Sequence, residues 1–295
     1  TEYAEFCIFT AVNFFKMKVF KTSQLLVKYL SKNTRPLGMV PTMGALHLGH
    51  LSLIKRALKE NKTVLVSIFV NPTQFDNKND LENYPININK DLLKLRKVSE
   101  KIIVYIPKVD DVFGNIIKSK PFDLAGLDHV MEGKKRAGHF QGVTTVVVHF
   151  FKTFVPDFAY FGEKDFQQLL IIDHISRTLE LKTKIIGCPI IRENDGLAMS
   201  SRNSLLTSNQ RKLASKLFEC LQIAKSNAKK IPYSSLKTLI SNFFEKNEGI
   251  ALDYFMVANP KTLKEFDLGQ PIDKGRSFVA ATLGKIRLID NLDIS

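Results

Sequence analysis

The stretch VPTMGALHLGHLSLIKRAL, residues 40–58, sets His47 and His50 three apart around Gly49. A histidine near a helix end is commonly a cap or a solvated group, but the surroundings here suggest more. RPLGMVPT reads as a short apolar strand ending at Pro41. Beyond the turn, Leu51, Ile54, Ala57 and Leu58 recur at helical spacing, with Lys55, Arg56, Lys59 and Glu60 opposite. The pair therefore sits where a strand hands over to a helix. Free N–H groups and the positive end of the helix dipole favour a phosphate at such a place. Gly44 and Gly49 let a ligand approach the backbone closely.

Other residues able to share that ligand also follow strand-like runs. Asn71 and Gln74 come directly after SIFV. They read a small polar ligand, or Asn71 simply caps the turn before Pro72. Lys164 and Gln168 lie four apart, on one face near the start of a helix that follows FAYFG. Lys164 either holds phosphate oxygens as a point charge or is a surface lysine beside Glu163 and Asp165. Ser200, Ser201 and Arg202 form a hydroxyl-and-guanidinium loop after TKIIGCPII, placed to close over phosphates.

An alternation of strand and helix is what should position these groups. TVLVSIFV suits a buried parallel strand, and IIVYIPKVDDVF gives another, stopped by Pro107. GVTTVVVHFFKTF puts Val143, Val146, Val147, Phe150, Phe151 and Phe154 on one helical face. NPTQFDNKNDLENYP reads as a long polar loop. Thr207 is placed to cap a helix from Ser208 onward. The last ninety or so residues change character: a helix in SLKTLISNFFEKN, then strands ALDYFMVANP, RSFVAATLG and KIRLID with short links. The expected fold class is α/β, a parallel sheet with helices, with ligands at the carboxyl ends of its strands. A smaller α+β domain follows. The expected boundaries are 17–190 and 191–295, the second acting as a lid. Residues 1–16 look like an extension in front of a natural start at Met17.

The chain has 295 residues, of which 44% are hydrophobic, enough for a sizeable core. No apolar run approaches a membrane span; residues 143–161 are interrupted by His149, Lys152 and Asp157. Cys7, Cys188 and Cys220 form no metal pattern, and so sparse a count fits a reducing cytoplasm. The net charge of +14 raises nucleic acid as a partner, but the basic residues are scattered, and a lysine-rich solvated surface explains them better. The tightest basic cluster is GKKRAGH, with its charges at 134–136.

Six segments, in order, resemble the pantothenate synthetase (pantoate–β-alanine ligase) family: PTMGALHLGH, SIFVNPTQF, GHFQGVTTVV, FGEKDFQQL, DGLAMSSRN and LGKIRLIDN. The resemblance covers the chain from Met17 to its end. It implies a Rossmann-like α/β domain bearing the HxGH motif, followed by the smaller α+β domain, in a cytoplasmic homodimer. It implies ATP and pantoate reacting to a pantoyl adenylate and pyrophosphate, after which β-alanine attacks the acyl carbon to give pantothenate and AMP.

Residue by residue, the resemblance makes Met43, Gly44, Ala45, Leu46, His47, Leu48, Gly49 and His50 an ATP cradle. His47 and His50 would hold phosphate oxygens, and His50 matches the residue usually assigned as proton donor. Gly162, Glu163, Lys164 and Asp165 would contact the nucleotide, with Lys164 on the phosphates, and Ile191 would meet adenine. Met199, Ser200, Ser201 and Arg202 would close over the triphosphate. Gln74 and Gln168 would bond pantoate, with Asn71 lining the same pocket. His47, His50, Lys164 and Arg202 are thus the expected catalytic set, supplying with the helix N-terminus the positive charge and N–H donors that the reaction needs.

Two departures qualify the match. KRAGHF has Ala137 where the family usually carries proline, so that loop loses a fixed φ. YPININKD offers only Asp91 where the family often has several acids, so protein ligands for a metal are unknown and Mg²⁺ is expected to be carried mainly by the ATP phosphates. The alternatives are another nucleotidyltransferase with a different acceptor, or a basic RNA-binding module. A kinase lacks its GxxxxGK[ST] here. The expected partners are therefore pantoate and β-alanine, with no nucleic acid and no membrane.

Overall fold

The computed structural model describes residues 17–75 and 78–295; the extension 1–16, with Cys7, lies outside them. Six parallel strands build the main sheet: β1 (Lys18–Phe20), β2 (Leu37–Thr42), β3 (Thr63–Ile68), β4 (Ile103–Tyr105), β5 (Phe158–Gly162) and β6 (Lys184–Cys188). Their order is β1-β4-β3-β2-β5-β6. The sheet grows one way from β2 through β3 and the other way through β5. That reversal leaves a crevice beyond the carboxyl ends of β2 and β5, where open α/β sheets take ligands.

β2 and β3 are apolar on both faces because both faces are covered. On one side Leu37, Met39 and Leu65 pack with Val146, Phe150 and Phe154 of the helix His139–Phe154. On the other, Val40, Val64 and Val66 pack with Leu53, Ile54 and Ala57 of the helix Leu48–Glu60 and with Leu95 of Ile88–Val98. The β-branched run in His139–Phe154 is poor helix material by propensity. It is helical because 12 of its 16 residues are buried, and burial outweighs a few tenths of a kcal/mol per residue.

A second, antiparallel sheet holds β7 (Ala251–Ala258), β8 (Arg276–Leu283) and β9 (Ile286–Asp293). Helices Ser208–Ala214, Lys216–Asn227 and Tyr233–Glu245 accompany it, with a core of their own around Leu217, Leu221, Leu236 and Val279. Thr207 caps the first of them, accepting from Gln210 N–H. The expected short links hold only for β8–β9, which turns at Gly284 (φ +61°). Between β7 and β8 the chain takes residues 259–275, because buried Leu263 and Ile272 anchor that stretch to the core. The expected polar loop after β3 likewise contains a 3₁₀ turn, Pro72–Gln74, and a short helix, Lys78–Glu82.

The two sheets meet across the helix Phe166–Thr178: Met256, Ala258 and Phe278 join Ile171 and Ile175 in one cluster. Arg287 forks onto buried Glu132 at 2.6 and 2.9 Å, so a charge pair crosses the same seam. Among the described residues no helix is long and apolar enough to cross a membrane.

Candidate active site

β2 ends at Thr42, and the chain turns through Gly44 (φ +84°) and Ala45 (φ +48°) before its helix begins. A Cβ on Gly44 would lie 3.0 Å from Asp91 Oδ2 and 3.1 Å from Ile68, in a backbone region L residues rarely adopt. Asp91, 2% exposed, reaches in from the helix Ile88–Val98 and accepts the N–H groups of Ala45 and Leu46, both at 2.8 Å. Lys94 Nζ donates to the Leu46 carbonyl. The turn is therefore clamped from behind. Met43, His47, Gly49 and His50 line the cleft in front of it; Gly44, Ala45, Leu46 and Leu48 do not. The expected cradle is thus narrower than the run 43–50. Leu46 serves the core, Leu48 is exposed, and two of the amides are already taken by Asp91.

His47 caps the helix and its ring centroid lies 4.0 Å from that of His50. The His47 N–H donates to His50 Nδ1 at 3.3 Å, so in a neutral ring Nε2 carries the hydrogen. Among the described residues, His47 Nδ1 is buried without a hydrogen-bond partner. Burial, reinforced by Lys164, pulls His47 down to about 4. Burial holds His50 well below the ordinary range, with His47 and Lys164 adding to it. Burial thus holds both rings toward the neutral form, in which they match the N–H donor part of the expected role. They offer N–H donors, and Lys164 is the cation nearest them in charge effect, with Arg136 and Arg202 elsewhere in the lining.

β5 ends at Gly162 and passes through the 3₁₀ turn Glu163–Asp165 into the helix Phe166–Thr178. Lys164 is no free surface lysine: its side chain is 18% exposed and its amine lies 3.4 Å from Asp165 Oδ1. Gly162, Lys164, Asp165 and Gln168 line the cleft, while Glu163 turns to Arg276 at 3.4 Å instead.

Asn71, 2% exposed, lines the cleft and caps the turn before Pro72. Its Oδ1 accepts from Thr73 N–H and Oγ1; its Nδ2 donates to Gln74 Oε1 at 3.1 Å and to the Gly142 carbonyl at 3.0 Å. Val143, Val146, Val147 and Phe150 give the cleft an apolar wall beside Gln74 and Gln168. Residue reasoning missed Arg136 and His139, both lining the cleft. Arg136 Nη1 donates to His139 Nε2 at 3.0 Å, so His139 Nδ1 donates to the Gln74 carbonyl at 2.7 Å. Burial and Arg136 pull His139 down to about 4. The signal is the cluster GKKRAGH, which solvated surface alone does not explain.

Beyond β6, Ile191 and Met199–Arg202 form the remaining wall. Ser201 Oγ donates to the Ala45 carbonyl at 3.0 Å, joining this loop to the histidine turn. Arg202, expected on phosphates, donates to Asp80 Oδ2 at 2.8 Å across the cleft mouth.

A cleft with paired neutral imidazoles, an enclosed ammonium and glutamines beside an apolar wall suits a polyphosphate and a small hydroxylated acid together. The family model for pantoate–β-alanine ligase matches residues 17–293. The chain belongs to that family. It is 46% identical over 282 residues to the pantothenate synthetase of Christiangramia forsetii, covering 95% of this chain and all of that one. With the enzyme of Flavobacterium psychrophilum it shares 42% over 91% of this chain and 95% of the relative. The crystal structure of the Thermus thermophilus pantothenate synthetase matches with a TM-score of 0.87 at 34% identity, over 94% of this chain and 99% of that one. The Francisella tularensis pantoate–β-alanine ligase, complexed with β-γ ATP and β-alanine, matches at 0.77 and 34%, over 94% and 98%. Within this family frame, the Ala137 departure is spanned by a backbone bond from His139 N–H to the Arg136 carbonyl, 3.1 Å, which closes the loop without proline.

Proposed function

We propose that the chain condenses pantoate with β-alanine, converting ATP to AMP and pyrophosphate through a pantoyl adenylate. The observation that carries this reading is one cleft lined by His47, His50 and Lys164 together with Gln74, Gln168 and the apolar Val143, Val146, Val147 and Phe150. The pantoate carboxylate would attack the α-phosphorus of ATP. The bond to the bridging oxygen would break and pyrophosphate would leave. The amine of β-alanine would then attack the acyl carbon, expelling AMP and losing a proton as the amide forms. Bringing two anions together needs donors and charge where negative charge builds, and an aligned attacking oxygen. Lys164 and the imidazole N–H groups meet the first need. Gln74 and Gln168 meet the second without adding a repelling charge.

The pantoate methyl groups suit the valine wall, and Ile191 and Met199 suit the base. Arg202 bonds Asp80 through Nη2, which leaves its other N–H groups for phosphates, and residues 191–295 would act as a lid on the domain 17–190. Among the described residues no three His, Cys, Asp or Glu side chains gather to hold a metal. The donor set fits Mg²⁺ travelling on the ATP phosphates, with Asp165 as the cleft carboxylate able to meet it and pyrophosphate charge neutralisation as its chemistry. A homodimer and a cytoplasmic location come with the family reading.

Pyrophosphate–ATP exchange with magnesium and pantoate, omitting β-alanine, tests the proposal. Exchange that requires pantoate is the expected result. No exchange from folded, ATP-binding protein would overturn it.

A further inference from the structure

One side chain of the last strand reaches out of the second sheet to the backbone that carries Lys164. Asn291, on β9, is 1% exposed. Its Oδ1 accepts from Arg276 Nη1 at 2.6 Å. A guanidinium can only donate, so this contact fixes which end of the amide is oxygen. The NH₂ end points the other way and donates to the carbonyls of Glu163 and Lys164, each at 2.9 Å. Asn291 is itself held rigidly. Its N–H donates to Asp290 Oδ1 at 2.7 Å, and its carbonyl accepts from Arg192 Nη2 at 3.1 Å. Arg276 is fixed too, stacked 4.0 Å over the Phe166 ring. The turn Glu163–Asp165, by contrast, has no side-chain cap of its own at Gly162. Two of its carbonyls are held by a strand more than 120 residues further along the chain.

We infer that Asn291 is a positioning residue, pinning the Glu163–Lys164 backbone so that the Lys164 ammonium faces the His47–His50 pair. The inference rests on the reading of Lys164 as the group that holds phosphates. A point charge works by where it stands, and a displacement of about 1 Å can cost about 10²-fold in rate. The second sheet therefore contributes more than a lid: it sets one wall of the nucleotide cleft from behind.

The decisive variant is Asn291→Asp. It keeps the shape and the contact with Arg276, but sets a carboxylate oxygen against two carbonyls. ATP affinity, turnover and the denaturation midpoint are measured for wild type, N291D, Lys164→Ala and the double variant. Ser277→Ala serves as a control; that buried hydroxyl bonds only the Leu292 carbonyl within the same sheet. The expected result is a fall of roughly tenfold or more in ATP affinity and turnover for N291D. S277A should match wild type, and N291D should cost nothing further once Lys164 is gone. Wild-type ATP affinity in folded N291D would overturn the inference, and so would an equal loss with and without Lys164. The cycle on ATP affinity decides this even if pantoate proves to be the wrong acid, which the exchange assay reports separately.

Discussion

At the residue scale, the proposed mechanism uses the histidine pair as donors. His50 accepts the His47 N–H on Nδ1, so its other nitrogen carries a hydrogen into the cleft wall without needing a charge. Replacing it removes one donor at the reacting phosphate. His50→Ala should lower turnover about 10²–10³-fold with pantoate KM little changed; steady-state kinetics on the folded variant checks this, and unchanged turnover would remove His50 from the mechanism. The depressed pKa values add a second expectation. Empty, His47 protonates only near about 4, and His50 also well below its usual range. A polyphosphate beside them favours the charged rings and raises both values. ATP binding should therefore take up protons at about pH 5.5 and almost none at about pH 8, where the rings stay neutral with or without ligand. Calorimetry in buffers of different ionisation enthalpy measures that uptake. None at the lower pH would put the phosphates elsewhere.

At the element scale, the site is made by turns that other elements hold. Asp91 of one helix binds two amides of the turn before another. Asp91→Ala would leave both N–H groups without that partner, at about 1–3 kcal/mol each, so denaturant titration should show a loss of about 2–6 kcal/mol. ATP binding should weaken with it. The Pro72–Gln74 turn depends similarly on Gly142. A Cβ there would lie 2.2 Å from the Thr73 carbonyl oxygen and 2.8 Å from Gln74 N. Backbone cannot yield as a side-chain tip can, so Gly142→Ala should push Gln74 away and raise pantoate KM about tenfold or more. An unchanged KM would sever Gln74 from pantoate recognition. These dependencies explain what can be read from the sequence. Strand-to-helix periodicity locates His47, Lys164 and Gln168, because the groups lie within a few residues of strand ends. The role of Asp91 escapes it because the amide it holds lies 46 residues away, and Arg136 and His139 leave only the basic cluster GKKRAGH because the Gln74 carbonyl they hold lies 62 and 65 residues away. The helix at His139–Phe154 is legible despite its valines because its apolar face repeats at helical spacing. The long β7–β8 link is not, since only tertiary burial of Leu263 and Ile272 orders it.

At the scale of the whole molecule, the cleft lowers stability in acid. His47 and His139 have folded pKa values near 4, and His50 is also depressed, while in the unfolded chain each should titrate near 6.5. Above about pH 6.5 neither state protonates these rings, so their contribution is constant. As pH falls from there toward about 4, the unfolded chain takes up protons that the folded one refuses, and stability drops. Asp290, raised by burial, works in the opposite direction, but it is one carboxyl against the three cleft imidazoles and His149, which burial also lowers. The net charge of +14 adds self-repulsion that also grows in acid. Salt separates the two causes, since it screens surface charge and leaves the cost of charging a buried ring largely intact. In high salt, the denaturation midpoint should still fall between about pH 6.5 and 4, and saturating ATP should flatten that fall by raising His47 and His50. His139 lies beside the Gln74 carbonyl and Arg136 rather than in the histidine pair, so ATP should leave its share of the loss in place. A midpoint flat from about pH 7 to about pH 5 would mean the three rings are not held neutral by the fold. A full fall that ATP leaves untouched would mean the phosphates do not sit on the histidine turn.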